Sequence, residues 1–265
     1  MDLKQRAEKI AGIARDAGKL ALEYFNDPNR LRIEQKGHQD FVSQADRNVE
    51  LAIRSALSEQ FPDDAIVGEE HGPTVGTTGF TWVIDPIDGT TNFVNGIPAW
   101  TVVIAGVCDG KTQIGVIYDA CHEEMFVAAR GQGASLNGDP LRITSDRGIA
   151  DGSTGIGFSH RTSTKGTERL IAGLLAEGGV FYRNGSGALS LVYVAAGRLL
   201  GYSEEHMNAW DCLAGQLIVA EAGGVVEDQN ADQMIADGGR VIVGTSKVFP
   251  DLLRISEVAF DGGSA

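Results

Sequence analysis

The sequence predicts a mixed α and β fold, layered and with two lobes packed as one unit, on three observations. Two stretches near the N-terminus repeat apolar residues every three or four positions, the spacing of one helical face. Short runs of β-branched and apolar residues with turn signals follow, and these read as a largely antiparallel sheet. Beyond about residue 145, short apolar runs alternate with helical patterns, as they do where strands and helices stack in layers. The 265 residues suffice for one large domain or two modest lobes sharing a core. No Pro/Ser-rich linker and no internal repeat divides them, so the expectation is an N-terminal α+β lobe over 1–145 and a C-terminal α/β lobe over 146–265.

The first helix is carried by Leu3, Ala7, Ile10, Ala14, Ala17, Ala21 and Tyr24 and ends at Asn26-Asp27-Pro28. The polar segment Gln35-Lys36-Gly37-His38-Gln39-Asp40 follows as an extended or hairpin-like excursion. A second helix, marked by Ala45, Val49, Ala52, Ile53, Ala56 and Leu57, stops at Phe61-Pro62. Strand-like runs then cover 81–84, 101–107, 113–118 and 125–129, and Asp109-Gly110 signals a tight hairpin between two of them. In the C-terminal half, 155–158, 180–182, 225–227 and 241–243 read as strands, with helical patterns around 166–177, 187–200, 210–222 and 246–257.

Composition narrows the function. The 22 Lys and Arg against 36 Asp and Glu give a net charge of −14, which argues against a nucleic-acid-binding surface and leaves metal cations as partners. Cys108, Cys121 and Cys212 are odd in number, widely spaced and free of any C-x-x-C pair; they read as buried thiols of a reducing compartment. The segment MDLKQRAEKIAG has no apolar core of a signal peptide, and no run approaches a membrane span, so a soluble cytoplasmic protein is expected.

The densest chemical constellation is Trp82-Val83-Ile84-Asp85-Pro86-Ile87-Asp88-Gly89-Thr90-Thr91-Asn92-Phe93. A buried strand is expected to end at Asp85, where Pro86 blocks its continuation, with Asp88 three residues on and Gly89-Thr90-Thr91 opening a helix. Two carboxylates then share one strand end, beside backbone amides free to take an anion. Alone, Asp85 and Asp88 read equally well as turn and capping residues. Ala65-Ile66-Val67 ends in Gly68-Glu69-Glu70, a pair that alone reads as a solvated face; Trp210-Asp211 opens an apolar helix, where Asp211 alone reads as a helix N-terminal charge. Together, in a chain short of Lys and Arg, these acids fit a hard-cation site better.

The blocks D-P-I-D-G-T-T-N-F, the upstream G-E-E, and W-D followed by A-G-Q-L-I-V-A-E-A-G-G resemble, in order and spacing, the signatures of the inositol monophosphatase family of metal-dependent sugar phosphatases. The resemblance implies the layered αβαβα fold of sugar phosphatases, two to three Mg²⁺ ions, lithium sensitivity and a homodimer. It implies hydrolysis of inositol 1-phosphate or a similar small polyol phosphate by water, with no phosphoenzyme. Glu69, Asp85 and the carbonyl of Ile87 would hold one Mg²⁺, and Asp85, Asp88 and Asp211 a second. Asp46 and Lys36 match outer positions of the family site, and Thr90 with Glu69 the pair that orients the attacking water. Asp88, Gly89 and Thr90 match the phosphate site, Glu70 lies behind the metal ligands with a third, weaker ion near Glu69, and Gly187, Glu204 and Asp211 match the substrate side. The charges agree: without cations, each like-charge pair 4 Å apart costs about 4 kcal/mol at an effective dielectric of ~20.

Substrate choice is less determined. Glu204 reads alternatively as an exposed loop acid; members usually carry Ala where Gly187 stands and often Asp where Ser190 stands, and His206-Met207-Asn208-Ala209 is unusual before the Trp-Asp pair. Superfamily relatives also take histidinol phosphate, fructose 1,6-bisphosphate, NADP⁺ or nucleotide bisphosphates, and some bacterial relatives regulate through transcription or RNA-processing machinery. No nucleotide-binding glycine fingerprint, G-x-S-x-G elbow or H-E-x-x-H zinc spacing is present.

Overall fold

Capping and apolar spacing set the first layer. Asp2 accepts from Gln5 N (2.8 Å) to open α1 (Leu3–Phe25), and a capping box of Ser43 with Asp46 opens α2 (Gln44–Gln60), which stops at Phe61 before Pro62. The computed structural model describes residues 2–27, 33–37, 40–144, 146–159 and 161–262; of 33–37 and 40–42 it describes the backbone alone. Between the two helices, β1 (Ile33–Gly37) and β2 (Asp40–Ser43) pair antiparallel, the expected excursion.

The two helices pack on a seven-stranded sheet ordered β3 (Ala65–Gly68), β4 (Phe80–Asp88), β5 (Thr101–Cys108), β6 (Lys111–Asp119), β7 (Glu124–Ala129), β8 (Ala134–Leu136) and β9 (Asp139–Leu141). β3 runs parallel to β4 and every other neighbouring pair is antiparallel. The β5–β6 hairpin turns on Asp109 and Gly110, both with positive φ (52° and 67°), as its Asp-Gly pair requires. Alternation splits the strands between two cores: Trp82, Ile84 and Ile104 face α1 and α2, whereas Val83, Val103 and Ala105 face the middle of the molecule.

That middle layer holds α5 (Gly187–Ala195) and α6 (Ala209–Glu221). α6 is apolar on nearly every side because sheets cover both its flanks. Gly115 lets it approach β6, where a Cβ would stand 2.6 Å from the Ala214 carbonyl oxygen. Beyond it lies a five-stranded sheet ordered β11 (Val180–Tyr182), β10 (Ser153–Ile156), β12 (Gly201–Met207), β14 (Gly239–Gly244) and β13 (Val225–Val226), with β10, β11 and β12 mutually parallel. α4 (Thr164–Ala176) and α8 (Phe249–Phe260) close the far side over a third core around Leu170, Leu174, Leu252 and Ile255. The order is helix, sheet, helix, sheet, helix.

Several expectations change. β4 does not end at Asp85 but runs on through Asp88. β12, the strand joining β10 to β14, was not expected, because its residues Tyr202-Ser203-Glu204-Glu205-His206 are polar. The first C-terminal strand is 153–156 rather than 155–158, the second helix expected in the C-terminal half ends at Ala195 rather than 200, and α7 (Ala231–Asp237) is added. Cys212 is buried, but Cys108 and Cys121 are only half-buried. Among the described residues no helix is long and apolar enough to cross a membrane.

Candidate active site

A bulge in β4 sets the first two acids. Asp85 pairs with Val103 and Asp88 with Thr101, so three steps on β4 match two on β5. The extra residue restores both aspartates to one face, although residues three apart in a regular strand point oppositely. Pro86 has no N–H to lose at the bulge, and the Ile87 amide donates instead to Asp85 Oδ1 (2.9 Å). The shared face looks into the middle layer.

There Asp88 meets the start of α5. Its Oδ2 accepts from Ser186 Oγ and from the Ala188 amide (3.0 Å). Asp211 arrives at the third position of α6, its Oδ2 capped by the Asn208 amide and side chain, each at 3.3 Å. One carboxylate oxygen from each of Asp85, Asp88 and Asp211 lies within 4.8 Å of the others.

Glu69 follows β3 directly, its amide donating to the Ile84 carbonyl (3.3 Å). The turn beyond it is braced by Glu50 of α2, a fully buried carboxylate that accepts from the amides of Glu70 (2.7 Å) and His71 (3.2 Å) and pairs with Arg54 (2.6 Å). Glu70 thus contributes its backbone to this brace. Asp46, also buried, accepts from Ser43 N (2.8 Å) and Oγ (2.6 Å) and from Thr90 Oγ1 (3.0 Å). Thr90 Oγ1 also lies 3.1 Å from the Ile87 carbonyl, so its single proton has two competing acceptors. Lys36 lies in β1, and its side chain falls outside the described residues.

Gly89 opens α3 (Thr90–Val94) with φ 96°, and a Cβ there would stand 2.9 Å from the Ala99 carbonyl. Asn92 ties this turn to the opposite half, donating to Ala99 O (2.6 Å) and Asn184 O (2.8 Å). Glu69, Asp85, Ile87, Asp88, Gly89 and Thr90 line one cavity of about 820 Å³, together with Gly187, Glu204 and Asp211.

Glu204 is not an exposed loop acid but a buried strand residue, 8% exposed, whose Oε2 accepts from Tyr202 OH (2.5 Å). Gly157 makes room for it, since a Cβ there would lie 2.0 Å from the same oxygen. Two of the unusual residues prove complementary: the space a side chain at Gly187 would fill is taken by the Met207 methyl, 2.5 Å from the ideal Cβ position. Ser190 hydrogen-bonds Asn184 Oδ1 (3.0 Å) and Ser186 O (2.9 Å), so it supports the α5 start.

Burial and mutual repulsion push these acids up. Asp85 stands well above the usual carboxylate range, through burial first and then the charges of Glu69, Asp211 and Asp88. Asp88 is raised to about 7 by burial and Asp211, against the opposing Ser186 and Ala188 hydrogen bonds. Burial also raises Asp211, opposed first by its hydrogen bond to Asp85, and raises Glu204 to about 7. Asp46 is raised by burial, with Ser43 opposing. Such a cluster ionises fully only beside positive charge, and its donors are all oxygens, which fits a hard divalent cation. Residues the sequence did not single out include Glu50, Ser186, Arg161 and Arg183; only Ser43-x-x-Asp46 and Asn208-x-x-Asp211 carried a readable signal, as capping boxes.

Comparison with known proteins agrees with this architecture. "Nus factor SuhB" of Salmonella typhimurium (strain LT2) and of Escherichia coli (strain K12) are each 38% identical over 243 residues, 91% of this chain and 91% of theirs. The extragenic suppressor protein suhB of Bartonella henselae superimposes with a TM-score of 0.88 at 34% identity, covering 94% of this chain and 97% of its own. An IMPase of Thermotoga maritima superimposes with a TM-score of 0.85 at 27% identity, covering 97% and 99%. With the description "Inositol monophosphatase family" matched over residues 2–257, the chain belongs to that family.

Proposed function

We propose that this protein is a Mg²⁺-dependent phosphomonoesterase that hydrolyses inositol 1-phosphate or a similar small polyol phosphate. The observation that carries this reading is the convergence of Asp85, Asp88 and Asp211 within 4.8 Å, the first two buried and Asp211 partly so, without an ion-paired basic residue among the described residues. Asp85, Asp88 and Asp211 would hold one cation, and Asp85, Glu69 and the Ile87 carbonyl another. Bound there, divalent ions supply the positive charge that lets water ionise near neutral pH and that offsets charge on the phosphoryl oxygens.

The chain's own residues do the rest. With the Ile87 carbonyl engaged, the Thr90 hydroxyl donates to Asp46, leaving its oxygen lone pairs free to accept from the attacking water. Glu69 takes the second position beside that water. The Gly89 and Thr90 amides receive the phosphate, and Glu204 accepts from a hydroxyl of the leaving group, with Gly187 leaving space beside it. Lys36 would add positive charge at the outer edge, and Glu70 stays behind Glu69. We take residues 1–145 and 146–265 as the two lobes that share the site, in a cytoplasmic homodimer whose activity lithium inhibits.

A phosphate-release panel over inositol 1-phosphate, histidinol phosphate, fructose 1,6-bisphosphate, NADP⁺ and adenosine 3′,5′-bisphosphate, with and without Mg²⁺, tests this. Cation-dependent release from inositol 1-phosphate is expected, and release that persists in chelator would overturn it. The relatives named Nus factor SuhB favour a second reading, in which the chain acts through a protein partner. Asp85→Asn separates the two: a variant that releases no phosphate yet restores the phenotype of a deletion strain would make the non-catalytic role the main one.

A further inference from the structure

The cavity has a wall that the proposed hydrolysis does not use. β10, β11 and β12 are parallel, so their carboxyl ends open on one side of the sheet, where parallel sheets receive ligands. Arg183 lies one residue past β11, Arg161 lies in the connection from β10 to α4, and Asp211 comes just past β12. All three line the same cavity. β10 and β11 are paired neighbours, so Arg161, five residues past β10, and Arg183, one past β11, both follow strands that end on the same side of the sheet.

Neither guanidinium has an ion-pair partner among the described residues; the Arg161 side chain has one hydrogen bond there, 3.4 Å to Ser159 Oγ. Both side chains are exposed on the wall of the cavity that holds Asp211 and Glu204. A guanidinium fork suits phosphate oxygens, and two positive charges match one phosphate dianion. The volume of about 820 Å³ falls in the upper part of the roughly 300 to 1,000 Å³ that small-molecule sites span.

We propose that Arg161 and Arg183 form a second anion site, which selects substrates carrying another phosphate on the leaving-group side. The inference rests on hydrolysis occurring at Asp85, Asp88 and Asp211. Its test compares kcat/KM for inositol 1,4-bisphosphate and inositol 1-phosphate in the full chain, in R161Q/R183Q and in R161K/R183K. The wild type should favour the bisphosphate about ten-fold or more, the glutamine pair should bring the ratio near one through KM, and the lysine pair should fall between. A wild-type ratio of one, or a glutamine pair that slows both substrates in proportion, overturns the proposal. If the wild type releases phosphate from neither, the hydrolytic reading fails, and calorimetric binding of the same compounds decides the anion site: tighter binding of the bisphosphate, lost in the glutamine pair, supports it, and equal binding overturns it.

Discussion

Asp88 is pulled in two directions, held as an anion by Ser186 and Ala188 and driven toward the neutral acid by burial and Asp211. Removing one member of such a cluster weakens cation binding and relieves repulsion at the same time. Asp211→Asn should raise the Mg²⁺ concentration for half-activation at least about ten-fold, while the chelator-treated variant melts no lower than wild type at pH 8. An unchanged activation curve would remove Asp211 from the cation site. Glu204 makes a separate prediction, since at about 7 it changes from donor-capable acid to acceptor within the working range. Bound cations offset the charges of Asp211 and Asp88 that help raise it, so the KM for a polyol phosphate should fall as pH rises toward that value, and Glu204→Gln should flatten the dependence; a profile that keeps its shape in the variant assigns it to another group.

At the level of elements, the site depends on parts that never touch it. Glu50 has no path to substrate, yet it holds the turn that presents Glu69. Glu50→Ala should cost about 3 kcal/mol in urea unfolding, because Arg54 and two amides lose a buried partner, and it should weaken cation binding as well. A loss of stability with unchanged cation affinity would show that the turn stays in place unaided. The D-P-I-D-G-T-T segment was legible because its chemistry is local: a proline at a bulge, a glycine at positive φ, a threonine near two acceptors. In sequence the bulge reads as a strand end, since a proline lacking an N–H looks the same in both. β12 and Glu50 were not legible, because their polar residues are buried by elements distant in the chain. Ser203 and Glu204 look like a surface loop until β10 and β14 flank them, and Glu50 looks like one more charge on a solvated helix.

Across the whole molecule, the acids come from three layers: Glu69, Asp85 and Asp88 from the seven-stranded side, Asp211 from the middle layer, and Glu204 from the five-stranded sheet. Without cations the raised acids keep protons that the unfolded chain has lost, so the folded state is favoured at low pH and loses that advantage as pH rises. For Asp88 the window runs from about 4 to about 7, and a rise of that size corresponds to about 4 kcal/mol at most. Melting in chelator should therefore decline from pH 5 to pH 8, and Mg²⁺ should raise it most at the alkaline end; a Mg²⁺ effect independent of pH would mean the acids were already ionised. The glycine contact that seats α6 against β6 carries a kinetic consequence. Asp211 reaches Asp85 only once α6 has docked between the two sheets, so bound cations stabilise an arrangement completed late in folding. Stopped-flow measurements should then show Mg²⁺ slowing unfolding by about the whole of its stabilisation and leaving the refolding rate nearly untouched, making the ion a clasp on the finished molecule.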